Sequence, residues 1–234
     1  MAKLLTKLSD YTSRIRDTIG DNPSASTDRM ISADATYEFM TKRAAAEFSK
    51  LWPYRRTADI TAVNSQYDYP LASYCPGWAA DWSWIKELEF PQGEQDPSRY
   101  RKDNFIIYNN THIRFLTGTP GSTDTIRIIY YTPHTISASA DTIPEEHEES
   151  VAMYAAGLCN MLLAQKFAKA SNPSLNTDVI SYRTKSDQYK SLAEFLMNEA
   201  KKSWGAGDHR AIGTRASWNW YEGDYGDYTE YRED

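Results

Sequence analysis

Residues 125–164 read TIRIIYYTPHTISASADTIPEEHEESVAMYAAGLCNMLLA, and the spacing of their apolar residues changes once along the way. In the first part Ile126, Ile128 and Tyr130 alternate with Arg127, Ile129 and Tyr131, the two-residue period of a strand with one apolar and one amphipathic face. From Thr142 the signals are helical. Pro144 suits a helix start, where its missing N–H costs nothing, and the acids at 145, 146, 148 and 149 face the positive end of the macrodipole. Between Val151 and Ala164 only Asn160 is conventionally polar. Such a helix is too short to cross a bilayer and must be buried on more than one side, against the sheet and against other helices or subunits. Val151, Leu158 and Leu162 are expected to anchor the sheet while another face meets neighbouring helices, and Gly157 permits close approach there. A monomer core and a subunit contact both account for this helix, and in the second case Val151, Leu158 and Leu162 are expected to carry the packing between subunits. Strand followed by buried helix places the chain in the α+β class.

Working towards the N-terminus, the strand pattern continues. Short extended runs occupy 57–63, 67–71, 84–90, 105–108 and 111–116, and with 125–132 they read as an antiparallel β meander. Asn64-Ser65 and Asn109-Asn110 supply turns, since Asn tolerates the left-handed conformation. The segments 73–83, with Trp78 and Trp82, and 91–102 read as surface loops. Before them come two N-terminal helices. Leu4, Leu8, Tyr11 and Ile15 share a face over 3–19, ended by Gly20-Asp21-Asn22-Pro23. In the second, Tyr37, Met40, Ala44 and Phe48 form a stripe, with Ser32 as cap and Trp52-Pro53 as stop.

Towards the C-terminus, Asn172-Pro173 ends the buried helix, and a further long helix from about Asp178 to Ser203 sets Val179, Tyr182, Tyr189, Ala193, Leu196 and Ala200 on one seam. After Trp204 the composition shifts. Glycines stand at 205, 207 and 213, and residues 216–234 carry six acids against one Arg. Trp218, Trp220, Tyr221, Tyr225, Tyr228 and Tyr231 are spread through that acidic stretch without helical or strand period. The organisation is therefore a body over 1–204, helices plus β meander, and a flexible acidic, aromatic C-terminal arm over 205–234.

Composition narrows the function. With Tyr exchanged for Gly to match the usual apolar set, the apolar share is about 38% against the ordinary 45–50%. That is lean for a self-sufficient core. Tyr and Trp, 17 and 7 residues beside 7 Phe, are rings that suit interfaces with one side buried and one side wet. A net charge of −6 removes the broad basic footprint of a dedicated nucleic-acid binder. No apolar run is long enough to span a membrane and the start MAKLLTKLSDY lacks a secretory signal pattern, so no membrane partner and no export are expected. The two cysteines, Cys75 and Cys159, are far apart and read as reduced thiols.

Motifs for chemistry are thin. His147, within Glu145 to Glu149, lacks the second His of a zincin helix, and solvated acids at a helix start are the plainer reading. Residues 118–123, GTPGST, lack the Lys of a phosphate loop. No G-x-S-x-G elbow occurs, and a thiol in the apolar helix is inert. Catalytic, cofactor-binding and metal-binding residues are accordingly expected to be absent, and no cofactor is assigned.

The order of elements, more than any single phrase, resembles the head-to-tail adaptor (connector or neck) proteins of tailed bacteriophages. The phrases are Thr61 to Leu71 (TAVNSQYDYPL), Ile85 to Phe90 (IKELEF), Ile126 to Pro133 (IRIIYYTP) and Asp141 to Glu149 (DTIPEEHEE) before an Ala-rich helix, and the resemblance covers about residues 30–204. It implies a non-enzymatic virion subunit that forms a homo-oligomeric ring below the portal protein and extends the DNA channel. Tail, stopper or neck proteins would bind its far side, with genome DNA passing through unbound. The six aromatic residues of the arm are expected to contact the portal or an adjacent subunit. A tail terminator or other minor virion protein is the alternative within the class, and a small carbohydrate-active enzyme using Trp loops and paired Glu is the alternative outside it.

Overall fold

The computed structural model describes residues 5–21, 30–31, 33–90, 92, 105–116, 124–170 and 176–205, with side chains of 170 and 176–182 set aside. Among the described residues five helices and six strands follow one another as α1 (Leu8–Ile19), α2 (Asp34–Leu51), β1 (Tyr54–Thr61), β2 (Asp68–Pro70), α3 (Leu71–Tyr74), β3 (Trp84–Glu89), β4 (Phe105–Tyr108), β5 (His112–Phe115), β6 (Thr125–Thr132), α4 (Glu145–Ala170) and α5 (Asn176–Ser203). The class is α+β, with two long C-terminal helices as expected.

The strands connect differently from a simple meander. They form two antiparallel three-stranded sheets, ordered β1-β6-β3 and β2-β5-β4. Of the consecutive pairs only β4 and β5 make a hairpin, around Asn109 and Asn110, both at φ 51°. The Asn64-Ser65 turn, with Ser65 at φ 63°, instead carries the chain from one sheet to the other. The reason is the alternation itself. Every strand has one apolar face, and two small sheets facing each other bury all six faces at once. Ile60, Ile126, Ile128, Tyr130 and Leu88 from one sheet join Tyr69, Ile113 and Phe115 from the other in one core, where Phe90 and Phe115 stand 5.7 Å apart.

A second core belongs to the helices. Tyr11 and Ile15 of α1, Tyr37, Ala44 and Phe48 of α2, Val151, Ala155 and Cys159 of α4 and Ala193, Ala200 and Trp204 at α5 pack together. Here the structure corrects the expected role of α4: Val151, fully buried, and Leu158 and Leu162, partly buried, pack in this helical core and do not anchor the sheets. α4 is central, with α1 and α2 against it on one side and α5 on another. That arrangement explains a helix apolar on most of its circumference. Leu4, Ser32 and the 118–123 loop lie outside the described residues, and α2 begins after Ala33 without a side-chain cap.

Local chemistry fixes the ends. Gly20 turns left-handed at φ 72°, and the N–H groups of Gly20 and Asp21 close on the carbonyls of Asp17 and Arg16, which satisfies the last turn of α1. Asp21 is buried and accepts from the N–H of Met30 (2.6 Å), the N–H of Ile31 (3.0 Å) and the Tyr37 hydroxyl. Burial alone would raise its pKa, but these donors and Arg16 hold it below the usual carboxylate value. The carboxylate thus ties the end of α1 to the first turn of α2.

Close approach of α4 and α5 depends on Gly157. A Cβ there would stand 2.6 Å from Cγ of Met197 and 3.0 Å from the carbonyl oxygen of Ala193. Gly157→Val is expected to force the two helices apart and to destabilise by about 2–3 kcal/mol, more than the gain from helix propensity returns. Denaturant titration followed by circular dichroism measures this, and an unchanged midpoint would show that the pair does not depend on the contact.

Candidate assembly surfaces

The two cores meet at a compact aromatic joint. The chain crosses between them at Trp52-Pro53, from α2 to β1, and again between β6 and α4 over residues 133–144. The Phe48 ring lies 5.2 Å from His134, 5.1 Å from His147 and 5.4 Å from Trp204. Trp52 adds a ring 5.5 Å from His147 and Tyr54 one 5.4 Å from His134. Hydrogen bonds close the group: Trp52 Nε1 donates to the Trp204 carbonyl (2.9 Å), Trp204 Nε1 to Ser150 Oγ (2.8 Å), and the His134 N–H to Ser49 Oγ (2.8 Å). Nδ1 of His134 stands 2.7 Å from the Thr142 carbonyl.

Nothing in the spacing of residues 134 and 147 announces that both histidines flank one phenylalanine. Trp204 stands one helical step beyond Ala200, the last residue of the expected α5 seam, and is buried at 1% exposure. The plain reading of solvated acids at the start of α4 holds only in part. Glu149 forms a forked pair with Arg14, whereas Glu148 is buried and accepts the Leu5 N–H at 2.9 Å. Among the described residues no group of His, Cys, Asp and Glu has the arrangement of a metal centre, and no helix there is long and apolar enough to cross a membrane. Cys75 and Cys159 are both buried, and burial pushes each thiol up to about 12.

Burial pushes both histidines below the ordinary value of 6.5. For His134 the nearby carbonyls of Thr142 and Trp52 and the Asp141 charge oppose the shift, and for His147 the Glu146 charge does. A group whose pKa is depressed by folding contributes stability fully above its unfolded value and loses it as pH falls through the folded value. Stability is therefore expected to decline as the pH drops below 6.5, a window separate from that of Asp10, Asp21, Asp59 and Asp68, whose values lie below 3.8. Denaturation midpoints taken across this range test it: His134→Asn should flatten the decline, and a parent curve already flat would disprove it.

The outward faces of the sheets carry the surface chemistry. On the first sheet Arg127 grips Asp59 through two hydrogen bonds (2.8 and 2.9 Å), and Trp82, Trp84 and Tyr131 form a ladder of rings at 5.1 Å steps. On the second, Arg114 grips Asp68 (2.7 and 2.6 Å), lies over Tyr108, and Tyr108 stacks on His112 at 5.3 Å. Trp78 is not the exposed loop ring that its Pro-Gly setting suggests. It packs on Tyr130 at 5.9 Å and donates from Nε1 to the Asn110 carbonyl (2.9 Å), so it braces the hairpin. Large apolar side chains left exposed include Phe39 on α2 and Phe195 on α5, at 61% and 60%. The arrangement offers wide aromatic and ion-paired surfaces, the make-up of protein contact faces.

The arm residues Trp218, Trp220, Tyr221, Tyr225, Tyr228 and Tyr231 lie outside the described residues. Val151, Leu158 and Leu162 are brought together on α4, with Val151 enclosed in its own subunit and Leu158 and Leu162 partly open. No curated protein matches the chain. Among protein families, residues 6–211 match the one described as SU10 adaptor protein, which takes in both cores and the joint between them. That span includes every described element, and it agrees with the resemblance to phage head-to-tail adaptors: the chain belongs to the SU10 adaptor protein family.

Proposed function

We propose that the protein is a structural virion subunit that assembles as a ring below the portal vertex, extends the DNA channel and offers a platform to the tail or stopper proteins. The match over residues 6–211 to an adaptor family is the observation that carries this reading. Physical features support it. The net charge of −6 lets DNA pass without tight binding. The sheets present ring-rich outward faces suited to protein contacts. The role needs no cofactor and no catalysis. In this reading residues 1–204 are the body, residues 205–234 an arm that docks on the portal or on an adjacent subunit, and Leu158 and Leu162 part of the packing between subunits. The subunit need not form rings alone, because binding to the portal template completes its contacts. A reconstruction of the particle neck at side-chain resolution tests the proposal: a ring of this chain against the portal is expected, and a neck without it would end the reading.

A further inference from the structure

α2 and α5 both pack against α4, and the strip of α4 between them, buried at Tyr154 and half-exposed beyond it, forms a shallow lane. Tyr154, Leu158 and Met161 follow one another at steps of four and three, and so line the floor of that lane. Leu158 and Met161 are half-buried. Tyr154 fixes the two walls. Lys201 of α5 stands over its ring, 5.8 Å from the centroid, and Glu47 and, less strongly and in the opposite sense, Arg43 of α2 act on its hydroxyl. One turn from Arg43, on the same side of α2, Phe39 is 61% exposed. Between Ser150 and Ala170 α4 bears no acid, only Lys166 and Lys169. The Glu47 carboxylate at the rim is paired with Lys50 (2.5 Å) and that of Glu194 with Lys190 (4.0 Å), so Arg43 and Lys201 give the lane an excess of positive charge.

We infer that this lane is the docking site for the acidic, aromatic arm of a neighbouring copy of the chain. The inference rests on the proposed ring. Charge selects the occupant: the lane is apolar and cationic, and residues 216–234 combine six rings with a net charge of −5, a pairing that steers and orients docking. Length admits a neighbouring copy. The floor from Tyr154 to Gln165 measures about 17 Å along a helix, and the arm leaves its own body at Gly205, beside Trp204, whose ring packs on Tyr154 at 5.1 Å. Residues 206–217 span at most about 40 Å, more than the length of the lane, so the first ring, Trp218, has reach enough to enter the lane of the next copy. An arm-to-lane contact joins unlike surfaces, the heterologous kind that closes rings. The rings would lie against Phe39, Leu158 and Met161 while the carboxylates between them meet Arg43 and Lys201.

The test uses the full chain in two forms, one with natural nitrogen and one with heavy nitrogen, mixed dilute and then concentrated. A carbodiimide then condenses neighbouring carboxylates and lysines, and mass spectrometry reads the joined peptides. Arm acids such as Glu222, Asp224 or Asp227 joined to Lys201 or Lys190, with one light and one heavy partner, are the expected result. Arg43→Glu and Phe39→Ser, both exposed changes that should leave melting as in the parent, are each expected to cut this yield on the order of tenfold. Joined peptides of a single label would place the arm on its own chain, and no arm-to-lane peptides would place it elsewhere; either overturns the inference. Neither outcome touches the place of the chain in the neck, which the reconstruction decides separately.

Discussion

Removing the chain from residue 206 onward is expected to abolish incorporation into particles while leaving the circular dichroism and melting of the body nearly unchanged. The cut falls just after the contacts that finish α5, in which the Trp204 N–H reaches the Ala200 carbonyl and the Gly205 N–H the Lys202 carbonyl, so the body keeps its last cap. What is lost is six large rings on a segment with glycines at 207 and 213. Tyr and Trp give much contact area for few frozen torsions, and the acids between them keep the segment soluble. Ordering such a segment on a partner costs about 2–5 kcal/mol, so the contacts made must be deep enough to exceed it, and their loss should be decisive for assembly. Complementation of a phage lacking the gene, scored by particle yield and by the presence of the truncated chain in purified particles, measures the effect. Parental levels of infectious particles would show the arm to be dispensable.

Trp204→Ala, one step inside the same boundary, is expected to do the opposite: damage the body. Trp204 is 1% exposed, packs on Phe48 and on Tyr154 (5.1 Å), and donates to Ser150. Its carbonyl also accepts from Trp52. Truncating a buried Trp removes its transfer free energy and leaves a cavity, about 3–5 kcal/mol in all. In a body of this size that corresponds to a fall in Tm on the order of 10 °C. Because the ring also links α5 to the joint, the loss should appear as one transition for both cores. Scanning calorimetry measures it. A mutant that melts with the parent would mean that the joint carries little of the stability. The pair of changes separates assembly from folding at neighbouring residues.

Much of this fold could be read in the chain itself. Helix faces such as Tyr37, Met40, Ala44 and Phe48, and the strand alternation of Ile126, Ile128 and Tyr130, are written in the local period, and all of these residues are buried. β4 and β6 run over the residues that alternation and the Asn turns predict. Gly157 was legible as a close approach because a glycine inside an apolar helix has few other uses, and the structure sets Met197 and Ala193 against it. Element order also carried the family resemblance.

Pairing between distant segments was not legible, since periodicity shows which face of an element is apolar and says nothing of which partner covers it. That is why one meander became two facing sheets and why Val151, Leu158 and Leu162 found helices in place of a sheet. The same gap hid the joint. His134 and His147 are 13 positions apart with unrelated neighbours, and only folding sets both against Phe48 and depresses their pKa values by burial. Glu148 looked like one of four solvated acids until the tertiary structure buried it under the Leu5 N–H. The sequence by itself determined the elements, their apolar faces and the charged, ring-rich composition of the arm, because these depend on near neighbours along the chain. Which face meets which, and which polar groups are taken out of water, depended on contacts between residues far apart in sequence, and only the tertiary structure decided them.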